Sequence, residues 1–252
     1  MGTYIFDIDG TISRNGLKVH PIICKKLIEL RENNRLIFAS ARPIRDILPM
    51  IAPELHNSLL IGCNGGISFG NGNIISKSVL DRDYLLSIIK LMDNLEIPYV
   101  LDGEWHFSFS KTYHPFHDYI RNLSNYEMDK NELIHDGITK ILILSEIEKD
   151  KILEIGDVST HSHKDGFYDI TPSGNNKHIA LKKLIGECKY TAFGNDLNDY
   201  LVLDNAEVSV FIGNRDDYQS ANYYATIDYI PTIIDFLEGK KRSLEQVFHA
   251  IN

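Results

Sequence analysis

The chain has 252 residues, 43% hydrophobic and 24% charged, with a formal net charge of −9. That length buries a sizeable core, as one domain with a large insertion or as two domains. The acidic balance offers no basic stripe for nucleic acid, and no apolar run is long enough to span a bilayer.

Tyr4, Ile5, Phe6 and Ile8 are residues that a buried strand prefers, and Gly10-Thr11 closes the run. Asp7 and Asp9 interrupt it, and two ionised carboxylates at one apolar strand end suggest a shared hard cation such as Mg2+. His20-Pro21 opens a helix with its apolar stripe at Ile23, Leu27 and Leu30. Arg35–Ala39 reads as the next strand, ending in Ser40-Ala41-Arg42-Pro43, so a βαβ unit and a parallel sheet are expected. In such sheets ligands sit beyond the C-terminal strand ends, where Asp7, Asp9 and Ser40 all fall.

A third short strand over Leu59–Cys63 runs into Asn64-Gly65-Gly66, and Asn71-Gly72 signals a hairpin. From about Asp81 the alternation breaks. The spacing predicts a helix over Tyr84–Leu95, strands at Tyr99–Leu101 and Trp105–Phe109, a second helical stretch, and a strand at Lys140–Leu144. A helix near Glu146–Ile155 and strands near Val158–Ser162 and Phe167–Ile170 complete an α+β insertion. The parallel pattern then resumes. Lys177 starts a helix buried through Ala180, Leu181, Leu184 and Ile185, and Lys189–Phe193 is a strand ending in Gly194-Asn195-Asp196-Leu197-Asn198-Asp199. Val208–Ile212 is a further strand, and Ile230–Leu237 reads as a last helix. The expected architecture is α/β, a Rossmann-like core over residues 1–80 and 169–252 with an inserted cap over 81–168.

Polar groups at strand ends or helix starts of this core are Asp7, Asp9, Ser40, Lys177, Asn195, Asp196, Asn198 and Asp199. Carboxylates for a cation, neutral donors and a lysine near a helix N-terminus fit phosphoryl transfer, with one carboxylate attacking. His161 with His163, and His114 with His117, have metal-like spacings but read better as surface or packing residues. Cys24, Cys63 and Cys188 form no zinc-like or redox-like set and suit a reducing compartment, so the cytoplasm is the expected location.

Four segments together resemble the haloacid dehalogenase superfamily, in its Cof-type or IIB branch with a C2 cap: Asp7-Ile8-Asp9-Gly10-Thr11, Ser40-Ala41-Arg42, the stretch around Lys177, and Gly194 through Asp199. The resemblance implies a phosphatase with Asp7 as nucleophile and Asp9 as general acid and then base. It implies Lys177 as a charge neutraliser, and Ser40, Ala41, Arg42 and Asn198 around the phosphate. Mg2+ is the implied cofactor, held by Asp7, Asp9 through its carbonyl and Asn195 or Asp196, with Asp199 supporting those ligands from behind. One departure bears on the metal: the family usually has Gly-Asp where this chain has Gly194-Asn195. The implied partner is a small phosphorylated metabolite such as a sugar phosphate, with no nucleic acid and no membrane. A phosphomutase and a non-catalytic phosphometabolite sensor are the other readings; the sensor is motivated by Asn195 and opposed by retention of Asp9.

Overall fold

The computed structural model describes residues 1–14, 16–145, 149–163 and 166–240. The first five elements alternate strand and helix: β1 (Thr3–Phe6), α1 (Pro21–Arg31), β2 (Arg35–Ala39), α2 (Ile44–Ile47) and β3 (Leu59–Gly62). An antiparallel pair follows, β4 (Ile67–Gly70) and β5 (Asn73–Lys77), turned by Asn71 and Gly72, both at positive φ. Next come α3 (Arg82–Asn94), β6 (Tyr99–Asp102), β7 (Phe107–Phe109), α4 (Pro115–Leu123) and α5 (Lys130–Asp136). They lead to β8 (Lys140–Ile143), α6 (Lys149–Leu153), β9 (Val158–Ser162) and β10 (Tyr168–Pro172). The final elements are α7 (Lys177–Ile185), β11 (Thr191–Gly194), α8 (Tyr200–Asp204), β12 (Val208–Ile212), β13 (Tyr223–Ala225) and α9 (Ile230–Leu237).

Several elements differ in extent from the sequence expectation. The single helical stretch expected between Phe109 and Lys140 is two helices, because Ser124 is extended and ends α4. The strand expected from Trp105 starts only at Phe107. β13, at three residues, is too short to announce itself by pattern. The helix expected over 146–155 falls partly on 146–148, and the end of the expected core falls on 241–252; both lie outside the described residues.

Two sheets organise the molecule. The larger has the order β13-β12-β11-β1-β2-β3-β4-β5, parallel from β13 through β3 and antiparallel through β4 and β5. β1 lies at its centre, paired in parallel with β11 on one side and β2 on the other. Both faces are covered, which is why its strands read as continuous apolar runs. Phe6, Ile8, Phe38 and Leu60 pack with α1 and α9 on one face; Ile5, Ile37 and Ile61 pack with α7 and α8 on the other. Phe6 stacks on Phe193 at 4.6 Å between ring centroids, fixing the centre of the layer beneath the strand ends.

The smaller sheet is antiparallel, in the order β7-β6-β8-β10-β9. Tyr99, Leu101, Ile141, Ile143 and Ile170 join Tyr84, Ile88 and Met92 of α3 and Leu133 of α5 in one apolar cluster. By strand alternation the opposite face carries Val100 and Leu142, and with them Asp102, Lys140 and Asp169. Among the described residues no helix is long and apolar enough to cross a membrane.

Candidate active site

β1 stops at Phe6 because the next carbonyl but one gathers the chain. The Ile8 oxygen accepts the N–H groups of Thr11, Ile12 and Ser13 at 3.2, 3.0 and 2.9 Å. The turn needs φ +81° at Gly10, and a β-carbon there would run into the Asn195 side chain. Glycine is therefore demanded twice, by conformation and by the close approach of the β11 loop. This loop leaves Asp7 buried at the strand end and Asp9 about two-fifths exposed beyond it.

Lys177, first residue of α7, sits between two carboxylates. Its Nζ donates to Asp7 Oδ1 at 2.7 Å and to Asp199 Oδ1 at 2.8 Å, and all three side chains are buried. The helix start is fixed by Asn176, whose side chain accepts from the Ile179 N–H. One ammonium cannot neutralise two carboxylates. Burial, and then the charge of Asp199, push Asp7 up to about 7 against the pull of Lys177. Burial opposes the ammonium as well, yet Asp199 and Asp7 hold Lys177 above its ordinary value.

Asp199 is fully committed. Its second oxygen accepts the N–H groups of Asn195 and Asp196 at 3.0 and 3.2 Å, so it shapes the loop rather than facing an ion. Asp196 caps the short turn that follows, accepting the Leu197 N–H at 2.8 Å. Asn195 is the residue of this loop that reaches the first strand. One head-group atom of its amide lies 2.9 Å from the Asp9 carbonyl, 3.2 Å from Asp7 Oδ2 and 2.9 Å from the Thr11 hydroxyl. With nitrogen in that place, the amide donates to both acidic-loop oxygens. With oxygen in that place, it stands 2.9 Å from the Asp9 carbonyl oxygen and 3.2 Å from Asp7 Oδ2, near the spacing that neighbouring ligands take on an octahedral Mg2+. The donor set therefore fits a hard cation. Among the described residues no three His, Cys, Asp or Glu side chains group as metal ligands.

Asp9 points to the other side and is gripped by Arg42: Nε donates to Oδ2 at 2.6 Å and Nη2 to Oδ1 at 2.8 Å. Burial disfavours the guanidinium, but the Asp9 carboxylate raises its affinity for the proton further still. Arg42 Nη1 also donates to the Tyr119 hydroxyl of α4 at 3.3 Å, and Tyr119 donates to the Gly16 carbonyl at 3.3 Å. Ser40 is buried, and its Oγ accepts the Arg42 N–H at 3.1 Å, which leaves its proton to donate. The Ala41 carbonyl accepts from Lys140 of the smaller sheet at 3.1 Å.

The sequence reading missed the face that the smaller sheet turns toward these strand ends. Asn198 donates to Asn64 at 3.3 Å, and Asn64 donates to Asp169 Oδ2 at 2.9 Å. Lys140 lies 3.2 Å from Asp169 Oδ1 and 3.5 Å from Asp102 Oδ2, and Arg45 of α2 donates to Asp102 Oδ1 at 2.5 Å. Burial works against the Asp169 carboxylate, but Lys140 and His163 hold it down to about 2. The signal was the one used for Asp7: Asp102, Lys140 and Asp169 are charged residues inside apolar strands. The histidine pairs are spent locally. His163 Nε2 lies 3.0 Å from Asp169, His161 meets Thr171 at 3.2 Å, and His114 caps α4 by accepting from Phe116.

These groups line a cavity of about 250 Å3 that takes in Asp7, Asp9, Ser40, Ala41, Arg42, Asn195, Asp196 and Asn198 from the larger sheet's loops. Asp102, Lys140, Leu142, His163 and Asp169 join them from the smaller sheet's side, with Phe116, Tyr119, Ile120 and Leu123 of α4. Lys177 and Asp199 stand behind Asp7 and do not line it.

A family model described as haloacid dehalogenase-like hydrolase matches residues 4–229. A haloacid dehalogenase-like hydrolase from Bacteroides thetaiotaomicron aligns with a TM-score of 0.81 at 18% identity, over 95% of this chain and 99% of its own. SMU.1108c from Streptococcus mutans aligns with a TM-score of 0.78 at 21% identity, over 94% and 98%. The HAD subclass IIB sugar phosphatase BT4131 aligns with a TM-score of 0.75 at 18% identity, over 94% and 99%. At these identities the likeness speaks for the fold. No curated protein matches the chain.

Proposed function

The chain belongs to the haloacid dehalogenase-like hydrolases, and from that membership we propose that it is a Mg2+-dependent phosphatase of small phosphorylated metabolites; its cap, expected over residues 81–168, would run on through β10 to Pro172, because that strand pairs with β8 and β9 of the smaller sheet. The observation that carries the reading is the convergence of Asp7, Asp9, Ser40 and Asn195 at the C-terminal ends of parallel strands, in a cavity closed by a second sheet, with Lys177 bonded to Asp7 from behind. The sugar phosphatase among the similar structures favours a sugar phosphate as substrate.

Mg2+ would be held by Asp7 Oδ2, the Asp9 carbonyl and the Asn195 amide oxygen. When bound, the ion supplies positive charge against the phosphoryl oxygens and the Asp7 carboxylate. An Asp7 oxygen attacks phosphorus in line, forming an aspartyl phosphate as the bond to the leaving alkoxide breaks. Asp9 hands its proton to that alkoxide, then takes one from the water that attacks phosphorus and frees Asp7. Lys177 stays at Asp7 and offsets its charge. Ser40 and Asn198 donate to phosphoryl oxygens. Arg42 grips both Asp9 oxygens, so proton transfer requires that grip to loosen; an arriving phosphoryl group is a competing anion for the guanidinium.

The test is phosphate release from a panel of sugar phosphates and from 4-nitrophenyl phosphate, with Mg2+ and with a chelator, beside Asp7→Asn. Metal-dependent release that the variant loses is the expected result. No release, with the same esters raising the melting temperature, would instead identify a binding protein.

A further inference from the structure

Asn64, in the turn after β3, takes no part in the reaction above, yet it is bonded both to the site's loops and to the smaller sheet. Its backbone N–H donates to the Ser40 carbonyl at 3.1 Å, and the Cys63 N–H before it donates to the Arg42 carbonyl at 2.9 Å. On the other side the turn abuts α7, where a β-carbon at Gly65 would run into the Asn176 carbonyl. The backbone is therefore fixed, and the amide is the part of Asn64 that can turn. Its side chain is fully buried: Nδ2 donates to Asp169 Oδ2 at 2.9 Å, and Oδ1 accepts from Asn198 Nδ2 at 3.3 Å.

This row of three has a direction. A carboxylate only accepts, so Asp169 obliges Asn64 to turn its nitrogen toward β10 and its oxygen toward Asn198. Asn198 must then present nitrogen to Asn64. That nitrogen carries two N–H groups; Asn64 takes one, and Asn198 lines the cavity with the other to give. We propose that Asn64 is a positioning residue: Asp169 sets the direction of its amide, and its amide makes Asn198 meet a phosphoryl oxygen with N–H rather than with oxygen. The inference rests on the phosphatase reading for the place of the phosphoryl group. No proton is transferred along the row.

Titration calorimetry with inorganic phosphate, in excess Mg2+, tests this without requiring turnover. Asn198→Ala and Asn64→Gly should each weaken phosphate binding at least about fivefold; glycine is chosen because it takes the positive φ of the turn and keeps the fold. The double variant should bind within about twofold of Asn198→Ala alone, because Asn64 acts through the group already removed. Asp169→Asn tests the direction itself. Lys140 only donates, so it claims the new amide's oxygen and leaves nitrogen facing Asn64, which reverses the row. Losing a negative charge beside the cavity would by itself tighten phosphate binding, whereas reversal weakens it, at least about threefold. A role in stability alone would lower the melting temperature and leave the dissociation constants of the folded variants unchanged. Effects that multiply in the double variant would overturn the proposal. So would unchanged or tighter binding by Asp169→Asn, or no phosphate binding by the wild type. The expected binding pattern with no ester hydrolysed would instead sink the phosphatase reading and leave the positioning of Asn198 standing.

Discussion

At the scale of single residues, the site is held together against its own charge. Asp7 and Asp199 share one lysine, and burial with the charge of Asp199 pushes Asp7 up to about 7. An acid raised above its unfolded value near 4 contributes stability that is fully present below pH 4 and lost as the pH climbs through 7. Metal-free Asp7→Asn should therefore melt several degrees above the wild type at pH 8, reflecting up to roughly 4 kcal/mol, with the gap shrinking at pH 5. Calorimetry in a chelator checks this; an equal or lower melting temperature at pH 8 counts against it. Asn195 makes the opposite compromise. Its amide satisfies Asp7 and Asp9 by hydrogen bonds when it presents nitrogen, and must turn to present oxygen to a cation. Asn195→Asp removes that internal alternative and adds a charge, so Mg2+ should bind at least about tenfold more tightly by titration calorimetry, while the metal-free protein loses stability.

At the scale of elements, the turn after β3 carries a load that its sequence only half reveals. Cys63 and Asn64 are both at positive φ, 52° and 51°, in a conformation that costs a side-chain-bearing residue roughly 1–2 kcal/mol. Asn64 repays the strain with two bonds, to Asp169 of β10 and from Asn198. Asn64→Ala loses the bonds and keeps the strain, so urea denaturation should show a loss of about 2–4 kcal/mol. Asn64→Gly loses the same bonds without the strain and should be about 1 kcal/mol less damaging. If the two variants are equal, the backbone there is not strained. This turn also marks how far the sequence is legible. Asp7, Ser40, Lys177 and Asn195 stand where an apolar run stops, a local pattern that places them at strand ends and helix starts. The parallel pattern around them was readable for the same reason. Asn64, Asp102, Lys140 and Asp169 take their partners from segments distant in the chain, and nothing within a few residues of any of them names the partner. The extra strand β13 and the break between α4 and α5 escaped because three residues, or one extended serine, carry no period.

At the scale of the whole molecule, the two sheets have largely separate apolar clusters, and most of what joins them is polar. Tyr119 to Gly16, Lys140 to Ala41, Arg45 to Asp102 and Asn64 to Asp169 are its ties, with Trp105 edge-on to Phe69 the main aromatic contact. Such an interface can part and re-form at small cost in exposed apolar surface, which suits a cavity that must admit and release its contents. The strand order has a consequence for how the chain is made. β1 occupies the middle of its sheet, yet one of its two edges is covered only by β11, at Thr191–Gly194. A ribosome therefore delivers the aspartate-bearing strand first and its second neighbour late, while every strand of the smaller sheet, from Tyr99 to Pro172, emerges in between. The insertion can complete its own sheet on the nascent chain before β1 has its second neighbour.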